Sequence, residues 1–387
     1  TDQMIKEFFI GAVALSCLTS SVIAGEINAT LSSRYDVFPE HNRGTDDKSR
    51  SAEVKVEAFH DFNKSRVVAE LIGRADADDA GRRIIEARQA YLRTPIAGME
   101  AFIGNRQVFW GNAESKNVVD VINQSDAAAA QGSSAKLGAP SLSLERYMDS
   151  GDLQLWYISD FRQRTFNDSD GHPSSGIPVT SAKFERADAQ DADDFAGRFA
   201  AVSGDWDLAG SLFYGTARDP ILTPVSRGTA LQAYYPLMKS IGIEAQHTGE
   251  NLLFKWESLH GTQATSAFAA AVMGIEYSFY GIVNDLWDLG VIAEIQHDDR
   301  PQAAADQFLV GGLRLILNDV DDTTLLLLVS ADNEAEQSLV SLEASKRLNS
   351  WSSIELSSTF FSSRTATSVY GLLADDDSLS VTYNVFF

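Results

Sequence analysis

The chain has one cysteine, Cys17, and only nine prolines among 387 residues. A lone thiol can build neither a disulfide framework nor a thiolate metal centre. Past residue 24 no apolar stretch reaches the ~20 residues that a membrane-spanning helix needs. Positive charge is scarce as well: 31 Lys and Arg stand against 54 Asp and Glu, a formal net charge of −23. That balance disfavours binding to nucleic-acid phosphate. HExxH, GxSxG and P-loop glycine patterns are missing, so no hydrolytic or nucleotide-binding motif marks the chain. The six histidines are scattered: His41 and His172 fall in expected loops, and His60, His247, His260 and His297 at expected strand ends. His297-Asp298-Asp299 is the nearest approach to an Asp-His pair. No enzyme, cofactor or metal is therefore expected.

What is present begins with Lys6, an apolar run from Phe8 to Leu18, and small residues ending at Val22 and Ala24. This order of a weak basic region, a hydrophobic run and small residues predicts a secretory signal peptide over 1–24, cut after Ala24. The alternative, a membrane anchor, is short for a spanning helix. Residues 25–387 would be the mature protein, and Cys17 would leave with the signal.

From there on, apolar and polar residues alternate. Ala52, Val54, Val56 and Ala58 oppose Glu53, Lys55 and Glu57; Val67, Ala69 and Leu71 oppose Arg66 and Glu70; Ile85, Ala87 and Tyr91 oppose Glu86 and Arg88. Later, Ile241 and Ile243 oppose Glu244, Phe254 and Trp256 oppose Lys255 and Glu257, and Ile275 and Tyr277 oppose Glu276. Val291 and Ile295 oppose Glu294, Leu342 opposes Glu343, and Ile354 and Leu356 oppose Glu355. A period of two marks a strand with unlike faces. Repeated over segments of about 10 residues, it is the pattern of a transmembrane β-barrel. Mean hydropathy of −0.13 fits, since lipid-facing and lumen-facing residues cancel.

The connections test this independently. Every second one is turn-like: 61–64, 94–98, 149–152, 203–205, 248–250, 281–286, 319–322 and 347–350. Those between are mostly longer: 38–50, 74–81, 110–138, 162–195, 217–235, 298–306 and 362–377. Short periplasmic turns and long extracellular loops are the habit of such barrels. The expected fold is all-β: an antiparallel up-and-down transmembrane barrel of about 18 strands, within 16–20, in the outer membrane. The segment 196–203 is a short candidate, and 228–248 reads as one strand or as two broken at Pro236. Trp156, Trp206, Trp256, Trp287 and Trp351, with Tyr235, Tyr277, Tyr280 and Tyr383, suit an interfacial girdle, or else are core aromatics.

The final strand, Leu379 to Phe387, alternates and ends on an aromatic residue, with Tyr383 on the same face. It resembles the closing strand of bacterial outer-membrane barrels, which implies recognition by barrel-assembly machinery. Arg106-Gln-Val-Phe-Trp-Gly111 followed by Val119-Asp-Val-Ile-Asn-Gln-Ser-Asp126 resembles a motif of porin-like outer-membrane barrels of proteobacteria. Gly204-Asp-Trp-Asp207, Phe213-Tyr-Gly-Thr216, Leu253-Phe-Lys-Trp-Glu257 and Leu313 to Asp319 are similar to stretches of that family. The resemblance implies a pore of the cell envelope or an export-associated barrel. It carries no catalytic residues.

If apolar faces meet lipid, the lumen wall holds Glu53, Lys55, Glu57, Glu70, Glu86, Arg88, Glu244, Lys255, Glu257, Glu276, Glu294, Arg314, Glu343 and Glu355. This excess of carboxylates predicts passage of small polar solutes with a cation preference. The segment 111–138 is too apolar for a solvated loop and too irregular for a strand. It is expected to fold inward as a short helix that constricts or plugs the channel, with Arg106, Trp110, Asp120, Asn123 and Asp126 at the narrowest point. An external cap is the alternative. The acidic runs at 76–79, 188–194, 298–299, 319–322 and 375–377 are solvated loops or bridges through divalent cations to lipopolysaccharide. Two other functions stay open: a non-conducting barrel for lipid or lipoprotein trafficking with a periplasmic partner, and a barrel hydrolase with a Ser/His or Asp/His pair at the outer rim.

Overall fold

The computed structural model describes residues 25–39, 47–129, 135–169, 171–332 and 336–387. The expected signal peptide, Cys17 and His41 lie outside the described residues, as does 130–134 within the 111–138 segment.

Eighteen strands form one antiparallel sheet among the described residues. They are β1 Gly25–Val37, β2 Lys48–Phe62, β3 Ser65–Asp76, β4 Ile84–Ile96, β5 Met99–Arg106 and β6 Ala139–Met148. Next come β7 Gly151–Ile158, β8 Asp194–Ser203, β9 Trp206–Thr216, β10 Leu237–Thr248, β11 Leu252–Gln263 and β12 Ser266–Phe279. The last six are β13 Asp288–Asp298, β14 Gln307–Ile316, β15 Thr324–Asp332, β16 Gln337–Asn349, β17 Ser352–Ser363 and β18 Ser378–Phe386. Each pairs with its chain neighbours, and β1 pairs with β18 from Thr30↔Phe386 to Val37↔Leu379, which closes the barrel. Closure leaves no open edge whose N–H and C=O groups would lack partners in lipid. Inside the seam, Ser32 Oγ donates to Asn384 Oδ1 at 2.7 Å and Arg34 Nη2 to Ser380 Oγ at 2.7 Å.

The outward residues are the apolar ones. Met273, Ile275 and Tyr277 on β12, Ile241 and Ile243 on β10, and Leu379, Val381 and Phe387 at the end of the chain are all exposed. In water such a surface would aggregate; in a bilayer it is the lipid-facing belt. The chain is a transmembrane barrel of the outer membrane. No helix among the described residues is long and apolar enough to span a membrane.

All eight expected turns join consecutive strands on one side, the side on which β1 starts and β18 ends. On the other side the connection 264–265 is tight. Ala264 and Thr265 reach this two-residue turn with φ of 49° and 70°, as hairpins matched to strand twist require. The short candidate is a full strand, β8. The chain does break at Pro236, but its first half, Ala230–Tyr235, leaves the barrel for a three-stranded sheet with Val179–Phe184 and Ile221–Val225 on the loop side.

Two expectations about faces change. A register shift between β3 and β4 pairs Glu70 with Gln89 but Leu71 with Ala87, so Arg88 is an extra residue. A bulge reverses the phase beyond it. Tyr91 therefore pairs with Gly104 on the lumen face, its ring 5.9 Å from that of Phe102, instead of facing lipid with Ile85. Trp206, Trp351, Tyr277, Tyr280 and Tyr383 are exposed toward the turn-side ends of their strands, as a girdle requires; Trp256 is exposed but pairs with Met273 at mid-strand, and Trp156 and Tyr235 are buried. Trp156 faces the lumen, and Tyr235 packs between Phe161 and Phe184 in the loop-side sheet.

The belt yields a stability test. Met273→Lys, near the middle of β12, is expected to cost about 2–4 kcal/mol in denaturant refolding into vesicles. Leu252→Lys at the turn-side rim of β11 is expected to cost about 0–1 kcal/mol. Equal costs at the two sites would contradict this membrane placement.

Candidate functional site

Between β5 and β6 the described chain packs against inward-facing side chains of one arc of the wall. It has no helix among its described residues, only turns, bends and a two-residue pairing of Gln124–Ser125 with Lys136–Leu137. The reason is where its N–H groups go. Gly111 N donates to Glu244 Oε2 at 3.2 Å, and Asn112 N and Ala113 N to Glu257 Oε1 at 2.5 and 2.8 Å. Glu114 N and Ser115 N donate to Glu294 Oε1 and Oε2 at 2.8 and 3.0 Å. Lys116 Nζ continues the series to Asp298 Oδ2 at 2.5 Å. Carboxylates on β10, β11 and β13 thus take the donors that a helix would have satisfied internally. Arg198 grips Glu244 through two bonds of 2.8 Å.

An apolar interface backs this ladder. Trp110, Val118, Val119, Val121 and Ile122 form one buried cluster with the inward Trp156, Phe213, Met238, Leu259, Phe268 and Val272 of the wall. Two glycines allow the approach. Gly111 has φ of +113°, and a Cβ there would lie 2.7 Å from Glu257 Oε1; a Cβ on Gly242 would lie 3.2 Å from Val119 Cγ1.

The five residues expected at the constriction divide in two. Asp120 borders open space and pairs with Lys136, whereas Asn123 is buried. Asn123 also ties the segment's two ends, accepting from Val108 N at 2.7 Å and donating to Arg106 O and Leu137 O. Trp110, Arg106 and Asp126 are framework. Trp110 is buried and donates from Nε1 to Gln154 at 3.4 Å. Arg106 donates to Ser143 and Glu145 at 2.8 and 2.7 Å and lies 3.7 Å over the Phe102 ring. Asp126 accepts from Arg74, Arg88 and Thr165.

The expected wall residues face inward. Glu53, Lys55, Arg88, Arg314, Glu343 and Glu355 line open space. Glu57 pairs with Lys55 at 3.0 Å, Glu70 accepts from Gln89 at 3.1 Å, and Glu86 pairs with Arg162. Arg314 bonds Glu276 at 3.2 Å and Glu114 at 2.5 Å, and Lys255 lies 3.5 Å from Glu114. Sequence reasoning missed Arg34, Arg74 and Arg198, and with them the inward apolar arc. The arc did leave a signal: Leu212-Phe213-Tyr214 and Phe268 to Val272 are apolar on both faces.

Because the segment hugs one arc, space remains beside the other. A loop-side cavity of about 590 Å³ lies between Glu114, Asp120 and Lys136 on one side and Ser330, Ser341 and Thr359 on the other. A second cavity of about 760 Å³ is lined by Arg34, Glu53, Lys55, Arg74, Arg314 and Glu355, among others. Glu343 on β16 lines both.

The loops show what the acidic runs and histidines do. Asp76 and Asp194 are buried against Arg82 and against Arg186 and Arg218. Asp298 bonds Arg300 at 2.7 Å, and Asp319 closes its turn on Thr323 N at 2.9 Å. No group of three or more metal-ligating side chains gathers among the described residues. His297 and Asp298 are consecutive strand residues and face opposite sides. His172 Nδ1 instead meets Asp376 at 2.6 Å, both buried, with the imidazole stacked 3.8 Å from the Phe38 ring. That packing makes the pair a clasp between loops.

The ladder predicts its own failure mode. Glu257→Ala leaves two buried N–H groups unsatisfied, at about 1–3 kcal/mol each. Amide exchange at 112–115 should accelerate in that variant while the strands stay protected, and Glu257→Gln, which keeps an acceptor, should accelerate it less. Unchanged exchange in Glu257→Ala would show that the ladder does not hold the segment.

No family model matches the chain, and no curated protein does. Solved structures share the fold at low identity. Wzi, an outer-membrane protein involved in group 1 capsule assembly in Escherichia coli and a carbohydrate-binding β-barrel, superposes with a TM-score of 0.55 at 10% identity, over 93% of this chain and 84% of that one. OccAB3 of Acinetobacter baumannii gives 0.57 at 6% identity, over 94% and 99%. A BenF-like porin from Pseudomonas fluorescens Pf-5 gives 0.57 at 9% identity, over 95% and 99%. The chain has the barrel fold of outer-membrane porins.

Proposed function

We propose that the barrel is a porin-like channel for passive passage of small polar solutes, narrowed by the 111–138 segment. The observation that carries this reading is the one-sided seat of that segment. A plug fills a lumen; this segment is pinned to β10, β11 and β13 by its own backbone and leaves two cavities beside it that share Glu343 as a lining residue. Solutes would pass between Glu343 and Glu114, with selectivity set by radius and wall charge. No covalent step is involved.

The cation preference expected from counting wall carboxylates loses much of its support. Glu244, Glu257 and Glu294 are taken up by the ladder. The larger cavity presents Arg34, Lys55, Arg74, Arg82, Arg88 and Arg314 against Glu53, Glu343 and Glu355. All six cations are paired: Arg34 with Asp36, Lys55 with Glu57, Arg82 with Asp76, Arg74 and Arg88 with Asp126, and Arg314 with Glu114 and Glu276. The reading adopted is a path of mixed charge and weak ion selectivity.

Single-channel recording of residues 25–387 in a planar bilayer under a salt gradient tests this. Steady conductance with a reversal potential near zero is expected. Glu343→Lys should move that potential toward anion selectivity, and deletion of 111–138 should raise conductance several-fold. Silence from a folded, inserted barrel would reject the channel and favour the trafficking role.

A further inference from the structure

One stretch of the lipid-facing surface is not a plain belt. Across β6 to β11 it forms an apolar groove of about 980 Å³. Its floor is Gly197 on β8, flanked in register by Leu155 on β7 and Leu212 on β9. One row toward the loop side stand Tyr157, Phe195 and Tyr214, also in register. Leu155, Phe195 and Leu212 are each more than two-fifths exposed, so they wall a furrow and do not close it. A Cβ on Gly197 would meet nothing nearer than Leu155 Cδ2 at 3.6 Å. The missing side chain thus makes room without being demanded by packing.

The groove ends in cationic and polar groups that a lipid belt ordinarily lacks. Lys239 faces outward and is exposed, its Nζ 5.5 Å from the centroid of Tyr214. His260, exposed on the same face, pairs in register with Ile241. The depth of Lys239 follows from β10, and His260 lies one row deeper, level in register with Ile241. His247 meets Trp206 edge to face in the turn-side girdle, with centroids 4.8 Å apart. Lys239 is eight positions nearer the loop side of the same strand. At about 3.3 Å per residue and a ~40° tilt this is roughly 20 Å, near the far rim of the apolar band. Tyr157, which donates to Asp193 at 2.8 Å, marks the same rim. A lysine there is cheap, unlike one at mid-depth, and it stands at the level of outer-leaflet headgroups.

We infer that this groove is a specific site for one phosphorylated, multiply acylated lipid of the outer leaflet. Its acyl chains lie in the furrow over Gly197 between Leu155 and Leu212, and a phosphate of its headgroup sits against Lys239 and His260. Charge complementarity selects an anionic lipid over a zwitterionic one, and the apolar depth selects acyl chains over a free anion. The inference rests on the barrel alone and is independent of conduction through the lumen.

Native mass spectrometry of the intact barrel in mild detergent tests it, with bis-phosphorylated lipid A and phosphatidylethanolamine as probes. Wild type is expected to carry one lipid A at concentrations where phosphatidylethanolamine does not bind. Gly197→Leu, which fills the furrow, should abolish the adduct. Lys239→Gln should weaken it about tenfold, the scale of one charge-assisted contact. Heat-modifiable gel mobility reports whether each variant is folded, and a variant that fails to fold leaves the other to decide. The site is overturned if a folded variant binds lipid A as wild type does, if phosphatidylethanolamine binds equally well, or if a second barrel copy occupies the groove.

Discussion

Everything inside this barrel depends on carboxylates of the wall accepting hydrogen bonds from the backbone of an irregular segment. Glu244, Glu257 and Glu294 stand on three strands of one arc and receive consecutive N–H groups from Gly111 to Ser115. A buried N–H without an acceptor is costly, and a coil in a closed barrel has no sheet or helix to supply one. Conversely, Glu257 is fully buried and would be an expensive charge without those donors. Each side answers the other's unmet need, so the lumen can hold a non-helical segment at membrane depth, as long as it is buried in protein.

The apolar cluster gives this arrangement its direction. Hydrogen bonds alone would let the segment sit across the lumen. Trp110, Val119 and Ile122 draw it onto the one arc whose inward residues are Trp156, Phe213, Leu259 and Val272. The opposite arc, with Ser341, Thr359 and Thr382 beside Leu326, Leu328 and Phe361, remains lined by space. The asymmetry of the lumen is therefore written in the wall. The loop side adds rigidity: Arg218 bonds Ile122 O, Asp194 and Thr216 O, tying the segment to β8 and β9.

Acidic residues do several distinct jobs in this chain, and formal charge alone does not separate them. Some accept backbone donors, some close turns as Asp319 does, and some are buried against arginine as Asp194 is. Of the wall carboxylates, Glu53, Glu343 and Glu355 are left to face open space in the larger cavity. Net charge describes the solvated surface far better than it describes the lumen.

What the sequence determined by itself was the barrel. Alternation is a local property, strand sides follow from parity, and short turns on one side only need counting, so strand number, orientation of the faces and the membrane setting were all legible. The 111–138 segment was set apart from a solvated loop by its apolarity. Its lack of helix, the face of Tyr91, and the roles of Glu244 and Glu257 were decided only by the tertiary structure. Tyr91 turned on a bulge at Arg88 that no residue type announces. Glu244 and Asn112 are remote in sequence, and the bonds that join this stretch to the wall span more than 130 residues. Period and composition describe neighbours along the chain; the ladder exists only because barrel closure brings distant residues to the same depth and angle.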